Sequence, residues 1–261
     1  MAKAKMSIFK FVNALFPLLL IACNPEESSK QDILWYEQPS QNWNEALPLG
    51  NGKLGVMVFG NTSMERIQLN DDSMWPANSE TWNEPEGNKE DLDEIRALLF
   101  EGKNQEADKL FVDKFSNGTV VRSHQTLGDL FIDFEHKNVS DYRRELNISK
   151  AVSTVSYKSN GNQITEKAFV SNPAKAIIIE FKSDAPEGIN GKLRLDRPMD
   201  MGFATSSSFT TKEKLLVMQG EVTQRNGKFN SEPAPILEGV KFETCIKVKN
   251  EGGEIIRGES Y

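Results

Sequence analysis

Apolar and polar residues alternate with a period of two along much of the chain beyond residue 125. Leu130, Ile132 and Phe134 alternate with Asp129 and Asp133. Successive side chains of a strand point to opposite faces, so this predicts a strand with one buried and one wet side. Val152, Thr154 and Ser156 alternate less cleanly with Ser153, Val155 and Tyr157. Asn160-Gly161 follows, a pair suited to positive φ at both central positions of a type I′ turn, so a hairpin is predicted there. The run Ala176-Ile-Ile-Ile-Glu-Phe181 reads as a buried strand. Further strands are expected at 192–195, 215–218, 240–248 and 254–257. Ser206-Ser-Ser208 and residues 220–235 read as loops. Many short strands with turn signals predict a mainly β fold, an antiparallel two-sheet β-sandwich.

One segment changes period. Leu92, Ile95, Leu98 and Leu99 fall at helical spacing, and Ala107, Leu110, Phe111 and Phe115 repeat the stripe after Gly102. A short inserted helical segment near 88–115 is expected, its stripe used for packing. At the other extreme of the chain, Lys3, Lys5 and Lys10 precede an apolar run from Phe11 to Ile21, short for a bilayer crossing. Residues 1–22 read as a lipoprotein signal peptide. Leu20-Ile-Ala-Cys23 matches a lipobox that makes Cys23 the lipidation site, and residues 23–32 read as a polar tether. Several acyl chains anchor stably where one does not. With Asn24 rather than Asp beside Cys23, the expected location is the cell envelope, at the outer membrane.

The densest local signal is Leu47-Pro-Leu-Gly-Asn-Gly-Lys-Leu-Gly55, which reads as a tight glycine loop feeding a buried strand. The segment Glu65-Arg-Ile-Gln-Leu-Asn-Asp-Asp-Ser-Met-Trp75 follows. It predicts a strand burying Ile67 and Leu69, then a loop from Asn70 to Trp75 at the sandwich rim. Loops at sheet ends are where binding groups usually sit. Downstream come His124-Gln-Thr-Leu-Gly-Asp-Leu130, Tyr142-Arg-Arg-Glu-Leu146 and Ser171-Asn-Pro173.

In this order and spacing, with Trp43 and Ala46 ahead of them, these motifs resemble the N-terminal domain of glycoside hydrolase family 95, the inverting α-L-fucosidases. The resemblance runs roughly from 33 to 256, with Lys53 where arginine is common. It implies a supersandwich-like β domain over 33–261. It also implies that the complete enzyme hydrolyses terminal α-L-fucosyl linkages with an acid and a base carried by an (α/α)6 barrel. A chain of 261 residues has no room for that barrel. The run from Glu254 to Tyr261 reads as a strand and turn without a stop, so the domain is expected to be incomplete at its C-terminus. No catalytic residue is therefore expected in this chain. The substrate-proximal candidates are Asn70, Asp71, Trp75 and His124. The implied partners are a fucosylated glycan, the missing barrel, and a membrane through the lipid.

Composition narrows this picture without redirecting it. A formal charge of −7, with no basic cluster, argues against nucleic acid. Carboxylates number 38, so the Asp71-Asp72 pair has no weight as a catalytic dyad by itself. Turn formation is its expected role. Two histidines without a third ligand argue against zinc; no metal or cofactor is expected. Cys245 is expected to be a buried small hydrophobe, and Trp43 is expected in the core. Two functional classes remain: the non-catalytic domain of a fucosidase-like hydrolase, or a stand-alone surface lipoprotein that binds glycan.

Overall fold

The computed structural model describes residues 32–75, 86–116, 123–199, 206–212, 215–222 and 240–256. The expected signal peptide over 1–22, Cys23 and nearly all of the expected tether lie outside them. Thirteen strands and two helices follow one another among the described residues. The strands are β1 (Ile33–Tyr36), β2 (Leu47–Gly50), β3 (Leu54–Val58), β4 (Met64–Asp71), β5 (Gly128–Phe134), β6 (Ser140–Asn147), β7 (Val152–Ser159), β8 (Asn162–Ser171), β9 (Ala176–Ser183), β10 (Gly191–Asp196), β11 (Ser206–Lys212), β12 (Leu215–Glu221) and β13 (Lys241–Lys247). The helices α1 (Lys89–Phe100) and α2 (Asn104–Phe115) fall between β4 and β5.

Two antiparallel sheets form a β-sandwich. One has the order β1-β6-β7-β8-β9 and the other β10-β5-β4-β3-β2; β11-β12-β13 make a smaller third sheet. Val58, Ile67, Leu69, Leu130 and Ile132 of one large sheet share a core with Leu146, Val155, Tyr157, Ile164 and Ala168 of the other. Met218 of β12 joins the same cluster. Burying such side chains stabilises by about 1.5–3 kcal/mol each before entropy is counted. The hairpin at Asn160-Gly161 has φ of 49° and 86°, both positive as a type I′ turn requires. The weak alternation at 152–159 is clean in the structure, because Ser153 and Ser159 share the buried face with Val155 and Tyr157.

The inserted helices start from a capping box in which Asn88 and Asp91 satisfy each other's backbone amides. They pack mainly on one another. Ile95 and Ala107 are buried, but Leu99 and Phe111 stay about half exposed, so the stripe is only partly covered.

Several expectations need correction. Ser206-Ser-Ser208 opens a strand, because pairing with β12 overrides a serine-rich local preference. Residues 254–256 form no strand. The Ala176–Phe181 run is not buried throughout: β9 is an edge strand, so Ile177, Ile179 and Phe181 pack inward while Ile178 stays partly exposed. Trp43 is 53% exposed rather than in the core. It sits in a short 3-10 turn, where its indole Nε1–H donates to Gln68 at 2.6 Å. Cys245 is exposed on β13, since its side chain falls on the face opposite buried Thr244.

Candidate functional site

The motif loop is a set of stitches before it is anything else. Asn51 Oδ1 accepts the amides of Lys53 and Leu54, while its Nδ2 donates to the Ser171 carbonyl on the other sheet. The Lys53 carbonyl accepts the Asp72 amide at 3.0 Å. Asn51, the Ser171 turn and the end of β4 therefore meet at one end of the sandwich.

At that end the structure brings three of the four candidate residues together. Asp71 closes β4, and its Oδ1 accepts the Ser73 amide at 3.0 Å and the Ser73 hydroxyl at 2.5 Å. Asn70 and Asp71 thus belong to the strand rather than to the loop after it, since both pair with β3. Met74 is buried in the core, and the next residue, Trp75, emerges 50% exposed. His124 lies alongside: its Nε2 donates to the Asp71 carbonyl at 2.9 Å, and its ring meets Trp75 edge to face at 5.4 Å. The Gln125 amide bonds the Met74 carbonyl, which fixes the His124 strap against the β4 end. Asn70 points to the other side of the strand, opposite Gly55, and is not part of this cluster.

The electrostatics favour an acceptor here. Burial pushes the Asp71 carboxyl up, but the Ser73 hydroxyl and amide and the Lys53 charge outweigh it and hold it below the usual aspartate value. Asp71 is therefore an ionised acceptor at neutral pH, suited to receiving a hydroxyl proton and unsuited to protonating a leaving group. Nearby Arg197 is buried, donates to the Thr126 carbonyl and Gln125 Oε1, and covers the Phe242 ring at 4.9 Å. Burial brings its guanidinium down to about 10, and it remains a cation.

Sequence reasoning missed a second cluster, sealed between the sheets. Glu65 is fully buried, and its carboxylate accepts the amides of Phe59, Gly60 and Asn61. Glu166 reaches the same interior from β8, and its Oε1 has no partner. Burial pushes the Glu166 carboxyl up to about 8. Burial, and then the charge of Glu166, raise Glu65 well above the ordinary glutamate value against the pull of its three amides. The Tyr142 hydroxyl donates to the Gly60 carbonyl at 2.7 Å. A Cβ on Gly60, whose φ is 75°, would lie 2.6 Å from that hydroxyl, so the turn needs glycine. Arg144, also buried, donates to the carbonyls of Gln38 and Glu45. A raised acid pair can mark an active site, but this one has no opening to substrate. In the sequence the Glu65-Arg66 and Tyr142-Arg-Arg motifs fall on it, but β6 is polar along most of its length and nothing local marks which charge is enclosed. No group of three or more His, Cys, Asp or Glu arranged for a metal occurs among the described residues.

Residues 34–260 match the family described as glycosyl hydrolase family 65, N-terminal domain. Alpha-L-fucosidase 2 of Arabidopsis thaliana is 28% identical over 246 residues, 88% of this chain and 28% of that protein. Probable alpha-fucosidase A of Aspergillus oryzae is 32% identical over 149 residues, 54% of this chain and 20% of that protein. The corresponding Aspergillus niger protein is 31% identical over 162 residues, 58% of this chain and 20% of that protein. The chain thus spans less than a third of the length of these relatives.

Proposed function

Because the chain belongs to the family of glycosyl hydrolase family 65 N-terminal domains, we propose that it is the non-catalytic β-sandwich of an α-L-fucosidase. The finer assignment to glycoside hydrolase family 95 rests on the motif segments in their order and spacing. The observation that carries the reading is the match to an α-L-fucosidase across 88% of the chain. In this reading a helical barrel outside the chain supplies the acid and base. The Asp71–Trp75–His124 rim borders its glycan entrance.

The local chemistry supports the division of labour. Glycoside hydrolysis needs an accessible carboxylic acid that keeps its proton near neutrality. The carboxyls that burial raises here, Glu65, Glu166 and Asp129, are all buried, whereas Asp71 is held in its ionised form. The chain is therefore expected to release no fucose from a fucosylated oligosaccharide above the uncatalysed rate. Turnover that Asp71→Asn or Asp72→Asn abolished would place the chemistry in this domain and overturn the reading.

Attachment at Cys23 completes the proposal. Cys23→Ser is expected to block processing and acylation and to move the protein out of the membrane fraction. Mass spectrometry of the mature N-terminus checks this; a soluble product cut elsewhere would remove the lipid anchor. The second reading is a stand-alone glycan-binding lipoprotein. The half-exposed, hydrogen-bonded Trp43 favours it. The nucleotide sequence beyond codon 261 separates the two, because only the first requires a frame encoding the barrel.

A further inference from the structure

The outer face of the β10-β5-β4-β3-β2 sheet, away from the rim, carries an open cleft of about 630 Å³. That lies within the roughly 300–1,000 Å³ range of small-molecule sites. Gln38, Gln41, Asn61, Met64, Arg66 and Phe131 supply most of its lining. β4 and β5 form the floor, where Arg66 stands opposite Phe131. Residues 38–41 form one wall.

That wall is rigid. The Ser40 amide bonds the Phe59 carbonyl, and Ser40 Oγ donates to the Asn42 carbonyl. Glu45 receives both the Gln41 amide and Asn42 Nδ2. Buried Arg144 fixes the carbonyls of Gln38 and Glu45 from beneath. The Trp43 indole is not in the lining of the cleft; its bond to Gln68, two residues along β4 from Arg66 on the same face, fixes it beside the cleft. Its ring remains about half exposed. A wall whose backbone is already held loses little main-chain freedom on binding.

The nearby arginines are paired with carboxylates. Arg66 makes a bidentate pair with Asp129, both bonds at 3.1 Å. Arg194 lies over the Phe131 ring at 3.9 Å and is flanked by Asp133 and Asp196 at 3.7 and 3.8 Å. No carboxylate lines the cleft. The side-chain amides of Gln38, Gln41 and Asn61 have no hydrogen-bond partner among the described residues. An amide offers both a donor and an acceptor, which matches a sugar diol. An indole face offers apolar contact to the C–H face of a pyranose.

We infer that this cleft and Trp43 form a binding site for a neutral oligosaccharide, separate from the Asp71–Trp75–His124 rim. The inference does not rest on the fucosidase reading, since it needs binding and no turnover. It is tested by calorimetry and tryptophan fluorescence on the full chain, with three trisaccharide probes: maltotriose, fucosyllactose and anionic sialyllactose. Saturable binding of at least one neutral probe is expected. Trp43→Ala and Gln41→Ala are each expected to weaken it by about tenfold or more, with Tm unchanged in Gln41→Ala. Trp35→Ala, on the other sheet, is expected to leave the affinity as it is. No binding of either neutral probe at millimolar concentration overturns the proposal. So does binding that survives Trp43→Ala but is lost in Trp75→Ala, or binding of sialyllactose alone. Should Trp43→Ala fail to fold, Gln41→Ala decides by the same criterion.

Discussion

Replacing Glu65 with alanine is expected to destabilise the fold by about 3–4 kcal/mol. The carboxylate is fully buried and receives three backbone amides from the turn joining β3 to β4. The Phe59 amide also reaches the Arg66 carbonyl at 3.3 Å, so it keeps a partner. The amides of Gly60 and Asn61 do not, and an orphaned buried donor costs about 1–3 kcal/mol. The turn cannot swing out to water, because Tyr142 bonds the Gly60 carbonyl from the opposite sheet. Loss of the glutamate stem adds a cavity. Glu65→Gln keeps one acceptor oxygen and is expected to cost less. Denaturant melts of the two variants check the order; a loss below about 1 kcal/mol for Glu65→Ala would show that the amides find other acceptors.

The second large effect is a fall in stability as pH rises. Glu166 is pushed up to about 8 by burial, and Glu65 is raised as well. Below the ordinary glutamate value, both the folded and the unfolded chain hold these protons. Between that value and about 8 only the folded chain holds the Glu166 proton, and the raised Glu65 acts in the same direction, so the folded chain binds more protons than the unfolded one and loses stability with increasing pH. The groups that face the pair are Tyr142, Tyr157 and Arg144. Arg144 does not neutralise it, being committed to two carbonyls and to the Tyr36 ring at 4.2 Å. A loss of about 2–4 kcal/mol is expected between about pH 5 and pH 8.5. Glu166→Gln is expected to flatten much of that slope and to be the more stable protein at the alkaline end. A wild-type Tm that climbs over this interval, or a Glu166→Gln profile parallel to wild type, would contradict the assignment.

The family motifs take on a physical meaning from these contacts. Glu65 holds a turn, Arg66 pairs with Asp129, Gln68 holds Trp43, and Asn51 ties one sheet to Ser171 on the other. Each stands in a motif segment singled out in the sequence, and their work is mostly structural. The rim cluster was half legible. Asp71 and Trp75 stand four residues apart, but His124 arrives from 53 residues away. Asn70 was grouped with them by proximity in the chain and separated from them by the pleat, which sends neighbouring side chains to opposite faces.

By itself the sequence determined the features that depend on near neighbours. Period-two alternation marked the strands, Asn160-Gly161 marked the hairpin, and the stripe at 92–115 marked the two helices. In each case the residues that decide the conformation are two to four positions apart, so the pattern is present before the chain folds. Tertiary structure alone decided which polar residues would be enclosed and which aromatic residues would be left out. Arg144 reaches the Glu45 carbonyl across 99 residues, and Asn51 reaches Ser171 across 120. Whether Glu65 and Glu166 share one interior, or Trp43 stands on an outer face, depends on how two sheets are laid against each other. That arrangement is set by the summed fit of a whole core, and no local window of the chain contains it.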